Sequence, residues 1–296
     1  MQYRNFKITV SIVVFLSLAI TALSADFAGY SSVNYRFMHI GIDEGLSQSA
    51  VQTILMDKNG FMWFGTTDGL NRYDGYNFKI YYSAIADSAS LSSSWINCIA
   101  EDKHGNLWVG TLSGLNLFEK NRNKFIRNPV KGKEGELLQK AVINKIMYDN
   151  SGALWVGTNL SGLFKVNIDS GTAVQYSQDN HSNLHLPDNS ILSMMQDKND
   201  RLWVGFTTGI TVFDATTEEA EKNLLLQVNK ILNNQPVTAM IQDNSSNVWI
   251  GTNKKIYLFG KDGQFLASYF INKKDSKENF LITDIYQDKS GIVWAS

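Results

Sequence analysis

The sequence predicts an all-β protein, a β-propeller of four-stranded antiparallel blades, and three repeating features support that prediction. Tryptophan recurs at steps of 45 to 48 residues. An aspartate stands six residues before each of these tryptophans, and a β-branched residue stands six residues before each aspartate. A fixed period of this length indicates a repeat architecture, and four short strands per period are typical of a propeller blade. The repeat tryptophans are Trp63, Trp108, Trp155, Trp203, Trp249 and Trp294.

Each repeat contains the same predicted elements in the same order. A first strand with apolar residues on both faces ends near the aspartate. A tight turn follows, written Asp-x-x-Gly in four copies, whereas Asp200 and Asn247 replace or shift the glycine in the other two. The second strand carries the tryptophan, with a glycine two residues later in five copies. Third and fourth strands, such as residues 115–118 and 125–127, complete the unit.

The repeat tryptophans are interpreted as structural core, because neighbouring blades need large apolar side chains to fill the wedge between them. A ligand-binding tryptophan is not expected at the same register in every blade. The glycine after each tryptophan is expected to let the adjacent blade or turn approach closely. Residues 218–232 break the pattern and predict a short helix inserted between blades four and five.

Composition excludes several classes of function. The net charge of -1 gives no indication of a nucleic acid or an acidic lipid surface as partner. Cys98 is the single cysteine, which excludes an intramolecular disulfide framework and a cysteine-rich metal site. It lies in an apolar run, and we interpret it as a small core residue rather than a reactive thiol.

The N-terminus predicts export. Arg4 and Lys7 precede an uncharged apolar run over residues 8–23, and small residues follow it. Residues 1–25 therefore resemble a secretory signal peptide, with a retained membrane anchor as the alternative. Residues 26–34 form a polar lead-in, and residues 35–296 form the predicted propeller.

Neither catalytic nor metal-binding residues can be selected from the sequence, and no cofactor is predicted. The turn at residues 57–60 lacks the further oxygen ligands of a calcium loop. His181 and His185 are four residues apart, but polar neighbours and Pro187 favour a solvated loop. A Ser/His/Asp set and a phosphate-binding glycine loop are both absent from the sequence.

The first repeat carries a long motif that points to a family. It contains Gly-Leu-Ser-Gln-Ser at residues 45–49, Asp-Lys-Asn-Gly at 57–60 and Trp-Phe-Gly-Thr-Thr-Asp-Gly-Leu at 63–70. This motif resembles the opening blade of the two-component regulator propeller family, the periplasmic sensor of hybrid two-component systems in polysaccharide-degrading gut bacteria. The resemblance implies a non-catalytic domain that detects oligosaccharides and controls polysaccharide-utilisation genes. It also implies a second propeller and a histidine kinase in the full-length protein.

The chain departs from the family pattern at its sixth repeat, which stops at residues 294–296. Family members have seven blades in this propeller, and an opening strand, here residues 35–40, completes the last one. We therefore expect five complete blades and half of a sixth, from a fragment or a truncated gene product. Exposed sheet faces and edges in such an arrangement favour aggregation or pairing, including a homodimer.

A ligand is expected on the face where the connections between blades meet the turns between second and third strands, because these segments vary. Trp95 lies outside the repeat register and either stacks on a sugar ring or simply begins the first strand of blade two. Asn159 and Lys254 are polar candidates on the same face. The alternatives to a sensor are an exported propeller enzyme acting on polysaccharide, such as a lyase, and a protein-binding scaffold.

Overall fold

The computed structural model describes residues 39–179, 184, 186–270 and 281–296. Most of the predicted signal peptide, lead-in and opening strand (residues 35–40) lies outside the described residues, as do His181 and His185. Gly41–Ser296 form a compact unit that holds every described strand. Within the described part of the chain, helices are too short or too polar to cross a membrane.

Six antiparallel sheets follow one another along the chain, and this confirms the predicted fold class. Blades 1 to 3 have four strands each: β1 (Val51–Met56), β2 (Met62–Thr66), β3 (Gly69–Tyr73), β4 (Phe78–Tyr81), β5 (Ile96–Glu101), β6 (Leu107–Thr111), β7 (Gly114–Glu119), β8 (Lys124–Arg127), β9 (Ile143–Tyr148), β10 (Leu154–Thr158), β11 (Leu163–Asn167) and β12 (Thr172–Tyr176). Blades 4 to 6 have three, four and two strands: β13 (Ile191–Gln196), β14 (Arg201–Phe206), β15 (Gly209–Asp214), β16 (Ala239–Gln242), β17 (Val248–Gly251), β18 (Lys255–Phe259), β19 (Phe265–Phe270), β20 (Ile285–Gln287) and β21 (Val293–Ala295).

The blades are joined through their first strands. The contacts run from β1 to β5, then to β9, β13, β16 and β20. Each blade therefore packs against the next in chain order, as expected for a propeller.

Close packing between blades explains the repeated glycine and the repeated β-branched residue together. At each of five junctions, a Cβ atom added to the glycine would lie 2.6 Å from the β-branched residue that opens the next blade. Only glycine permits so short an approach without displacing backbone or core side chains. The pairs are Gly65 with Ile96, Gly110 with Ile143, Gly157 with Ile191, Gly205 with Val237, and Gly251 with Ile282.

Each repeat aspartate binds its own tryptophan. One carboxylate oxygen accepts backbone N–H groups of the turn, and the other accepts the indole Nε1–H. The aspartate–indole distances are 2.9 Å for Asp57–Trp63, 3.0 Å for Asp102–Trp108, 2.7 Å for Asp149–Trp155, and 2.9 Å for Asp197–Trp203, Asp243–Trp249 and Asp288–Trp294. The buried indole thus keeps its polar N–H satisfied.

The predicted core role holds for the first four tryptophans, which are at most 3% exposed. Trp249 is only half-buried, and Trp294 is 38% exposed. The prediction of a core position is wrong for Trp294, because blade 6 has two strands and no described blade follows it.

One helix is absent from the predicted elements, and the predicted second helix takes the place of a strand. Helix α1 (Gly132–Lys140) lies in the connection between blades 2 and 3, where the sequence predicts no helix, and it packs against β7 and β12. Helix α2 (Lys222–Leu232) lies within the predicted helical insertion, but it packs on β15 where blades 1, 2, 3 and 5 have a fourth strand. The Asn229 side chain accepts the Ile210 N–H at 3.0 Å and donates to the Ile210 carbonyl at 2.9 Å, as a neighbouring strand would.

The tight turns also differ in one place from the prediction. Asp200 takes the left-handed conformation at the glycine position of blade 4, with a φ of 59°. In blade 5 the corresponding residue is Ser246, with a φ of 67°, and not Asn247.

Candidate functional site

The propeller presents two faces with different chemistry. We call one the connection face, formed by the connections between blades and the turns between second and third strands. We call the other the hairpin face, formed by the aspartate turns and the turns between third and fourth strands. The candidate ligand-binding residues predicted from the sequence, Trp95, Asn159 and Lys254, all belong to the connection face.

Trp95 lies one residue before β5, and its side chain is 42% exposed. Its carbonyl accepts the backbone N–H of Leu112 at 3.3 Å, which fixes the connection against the turn of the same blade. Leu112 is itself 40% exposed. The two side chains give blade 2 an apolar surface at a position where the repeat places no core residue.

Asn159 and Lys254 are exposed at the turns of blades 3 and 5. The Asn159 carboxamide oxygen accepts the Ser190 hydroxyl at 3.2 Å, a contact that joins blade 3 to the connection before blade 4. The Lys254 backbone N–H donates to the Thr252 hydroxyl at 3.4 Å. The three predicted residues therefore share a face but belong to three different blades.

Sequence reasoning missed a pair of polar clusters that hold the connections of this face in place. In blade 1, the Asn71 side chain accepts the Ser47 N–H at 2.9 Å, and the Ser47 hydroxyl lies 3.0 Å from that of Thr66. In blade 2, Ser92, Asn116 and Thr111 repeat these contacts at 3.0 and 3.1 Å. Asn71, Thr66, Asn116 and Thr111 are fully buried. The Leu-Ser motif of the first repeat is therefore structural.

An ion-pair network lies on the hairpin face between blades 1 and 2. The Lys120 ammonium group is 2.9 Å from Asp57 and 2.8 Å from Glu101. Burial opposes ionisation of Asp57, but hydrogen bonds from Trp63 and Lys120 and the lysine charge outweigh it. The pKa of Asp57 therefore lies below its ordinary value. A cavity of about 270 Å³ lies beside this network and has polar walls.

A larger cavity lies on the hairpin face between blades 2 and 3. Its volume is about 470 Å³, and its walls include Lys103, Lys165, Asn167, Asp169 and Thr172. The Lys103 ammonium group contacts Asp169 at 2.7 Å, and His104 contacts the other oxygen of Asp169 at 3.2 Å. None of the sequence-predicted candidates Trp95, Asn159 and Lys254 lies in its walls.

A third cavity, of about 840 Å³, separates the first strands of blades 1 and 6. Ile54 and Met56 on one side and Tyr286 on the other are more than half exposed.

Cys98, the single cysteine, is 5% exposed in the core between blades 2 and 3, and burial raises the pKa of its thiol to about 12. This supports its interpretation as an unreactive core residue.

Sequence comparison finds a known family in four of the repeats. The sequence model of the family "Two component regulator propeller" matches residues 45–68, 90–113, 185–208 and 231–254. "Histidine kinase P4" of Formosa agariphila is 41% identical over 80 residues, which are 27% of this chain and 5% of that protein. The chain therefore spans only a small part of this relative.

Solved structures show the same fold. The extracellular domain of BT4673 from B. thetaiotaomicron, described as a one component system, is 21% identical with a TM-score of 0.66; the match covers 86% of this chain and 40% of that one. The extracellular domain of BT3049 from the same organism, described as a hybrid two component system, is 20% identical with a TM-score of 0.53. That match covers 88% of this chain and 40% of the other.

Proposed function

We propose that the chain is an exported, non-catalytic sensor domain that binds an oligosaccharide on its connection face, because four of its repeats match the two component regulator propeller model. Support for export comes from the apolar run at residues 8–23 and from the extracellular domains that share the fold. Signal output would depend on further domains, a second propeller and a kinase, supplied by a longer protein.

The observation that carries this proposal is the exposed indole of Trp95. Four repeat tryptophans are buried between blades, whereas Trp95 stands outside the repeat and is 42% exposed beside Leu112. An aromatic face next to polar groups suits a sugar ring, which has apolar C–H faces and hydroxyl edges. Asn159 supplies an exposed amide on the next blade, and Lys254 supplies an ammonium group on blade 5.

The test is a calorimetric screen of the purified chain against neutral and acidic oligosaccharides. We expect saturable binding of at least one oligosaccharide, and we expect Trp95→Ala to weaken it at least tenfold. Trp294→Ala is the matched control, since Trp294 is also exposed but belongs to the terminal sheet. Binding that persists unchanged in Trp95→Ala would contradict the proposed site.

The same samples distinguish the sensor from an enzyme. We expect no release of reducing ends and no unsaturated products when the bound oligosaccharide is incubated with the chain. Turnover would favour the lyase-like alternative, and a screen without any binder would favour a protein-binding scaffold.

A further inference from the structure

A side-chain staple joins the aspartate turns of neighbouring blades on the hairpin face. In this staple, the side chain of the residue just before a repeat aspartate accepts a hydrogen bond from the backbone N–H that follows the aspartate of the preceding blade. Across the described residues this bond forms at four junctions. Its acceptors and donors are Glu101 with Lys58 at 2.9 Å, Gln196 with Asn150 at 2.9 Å, Gln242 with Lys198 at 2.8 Å, and Gln287 with Asn244 at 2.9 Å.

The junction between blades 2 and 3 lacks the staple. The equivalent position holds Tyr148, whose ring replaces the carboxamide or carboxylate of the other junctions. Among the described residues its hydroxyl has no hydrogen-bond partner, although that atom is buried. A Cβ atom added to Gly152, which lines the 470 Å³ cavity, would lie 3.3 Å from this hydroxyl. A buried hydroxyl without a partner is a rare and costly feature.

A second contact is redirected at the same junction. Lys58 and Lys198, which follow their repeat aspartates, donate to the carbonyl of the next blade's aspartate at 3.1 Å. Lys103 occupies the equivalent position in blade 2, but its ammonium group reaches Asp169 on the turn between β11 and β12. Both contacts that close the junction between blades 1 and 2 and the junction between blades 4 and 5 are therefore altered where the larger hairpin-face cavity opens.

We propose that the cavity between blades 2 and 3 is a binding site for a small hydroxylated carboxylate, of the size and chemistry of a sugar acid. The volume of about 470 Å³ lies within the range of small-molecule sites. The charged residues in its walls are Lys103, Lys165 and Asp169. Each lysine already holds a carboxylate, Lys103 that of Asp169 and Lys165 that of Glu218, so the ammonium groups of this site are placed to bind carboxylates. This site is separate from the connection face and does not depend on the function proposed there.

The contacts of Asp169 show how the site accepts its ligand. Lys103 and His104 contact different oxygens of this carboxylate. The His104 ring can therefore stay hydrogen-bonded to Asp169 when the Lys103 ammonium group moves to bind the ligand. Asn167 and Thr172 line the same cavity as uncharged polar residues, and the Asn167 carboxamide oxygen accepts the backbone N–H groups of Asp169 and Ser170. Lys165 also lines the cavity, and its ammonium group is paired with Glu218 at 2.9 Å.

Calorimetric titration of the purified chain with D-glucuronate tests the proposal, with D-glucose and acetate as probes of the two halves of the ligand. We expect saturable binding of glucuronate and at least tenfold weaker binding of either probe. Lys103→Gln should weaken glucuronate binding on the order of tenfold, because it removes a charge-assisted hydrogen bond. Lys198→Gln is the matched control at a stapled junction and should bind as the unmodified chain does.

Substitutions at Tyr148 test whether the missing staple creates the site. Tyr148→Gln should rebuild the staple to the Lys103 N–H and abolish binding, whereas Tyr148→Phe cannot form it and should retain binding. Circular dichroism and thermal melting check that each variant folds. The proposal is overturned by absence of saturable heat with glucuronate, by equal losses in Lys103→Gln and Lys198→Gln, or by loss of binding in Trp95→Ala alone.

Discussion

Equivalent sequence positions are buried in the inner blades of this propeller and exposed in the terminal blades. Trp155 and Trp203 are fully buried between blades, whereas Trp294 in blade 6 is 38% exposed. Ile99 is 8% exposed in blade 2, whereas Ile54, at the same repeat position in blade 1, is 58% exposed. The tryptophan packs towards the following blade and the isoleucine towards the preceding one.

This difference shows that the burial of a side chain in a repeat protein is set by the junction with the neighbouring repeat and not by the repeat sequence alone. Each blade stabilises its neighbours through nearest-neighbour contacts, so a position is part of the core only where a neighbouring blade covers it. The exposed face of β1 and the face of blade 6 are therefore the surfaces where pairing or aggregation is expected.

The largest predicted effect is the difference in stability between substituting a tryptophan buried at a junction and substituting the exposed tryptophan of blade 6. Trp155→Ala removes a fully buried indole packed against Phe213 of the next blade, with ring centroids 5.6 Å apart. It should lower the free energy of unfolding by about 3–5 kcal/mol. Trp294→Ala should lower it by about 1 kcal/mol or less, because the ring is partly in water already. Urea unfolding of both variants provides the measurement, and equal losses would contradict the distinction between the two classes.

A smaller effect is expected where a glycine permits the close approach of two blades. A Cβ atom added to Gly157 would lie 2.6 Å from the Ile191 side chain of blade 4. Gly157→Ala should therefore lower the free energy of unfolding by about 1–3 kcal/mol. Gly260→Ala is the control at an outer turn, because its added Cβ would meet atoms no closer than 3.8 Å. Urea unfolding that shows no difference between the two variants would mean that the junction can relax.

The sequence predicts the contacts that recur in every blade, since repetition separates them from local variation. The spacing of glycine, tryptophan and the β-branched residue indicates the inter-blade packing, and Gly157 with Ile191 confirms it. The aspartate was equally visible, but its bond to the indole was not predicted, because a turn-forming role already explained an aspartate there. The repeat aspartate both forms the turn and binds the indole, and the regular spacing shows that it recurs without showing which contacts it makes.

Features that occur once were harder to predict. Helix α1 contains two glycines and has no side-chain N-cap, so its sequence gives a weak helical signal, and packing against β7 and β12 stabilises it. The substitution of α2 for a strand depends on the Asn229 side chain, a tertiary contact. Tyr148, by contrast, could have been found by aligning the residues before each repeat aspartate, where Gln or Glu stands in four of six copies.

The smallest predicted effect concerns acid stability at the closed junction between blades 1 and 2. The folded-state pKa of Asp57 lies below its ordinary value, because the contacts from Trp63 and Lys120 outweigh the opposing effect of burial. The ionised form is therefore favoured by folding, and its contribution is present at neutral pH and lost as the pH falls below about 4. Asp57→Asn should lower the free energy of unfolding by about 1–2 kcal/mol at pH 7. It should also flatten the decline of stability on acidification.

Urea unfolding at a series of pH values measures this effect, and Lys120→Met provides an independent check. That variant removes the ammonium group that lies 2.9 Å from Asp57 while keeping much of the apolar stem. It should move the onset of acid destabilisation to higher pH without removing the carboxylate. A pH profile identical to that of the unmodified chain in both variants would show that the Asp57 carboxylate does not couple protonation to the junction.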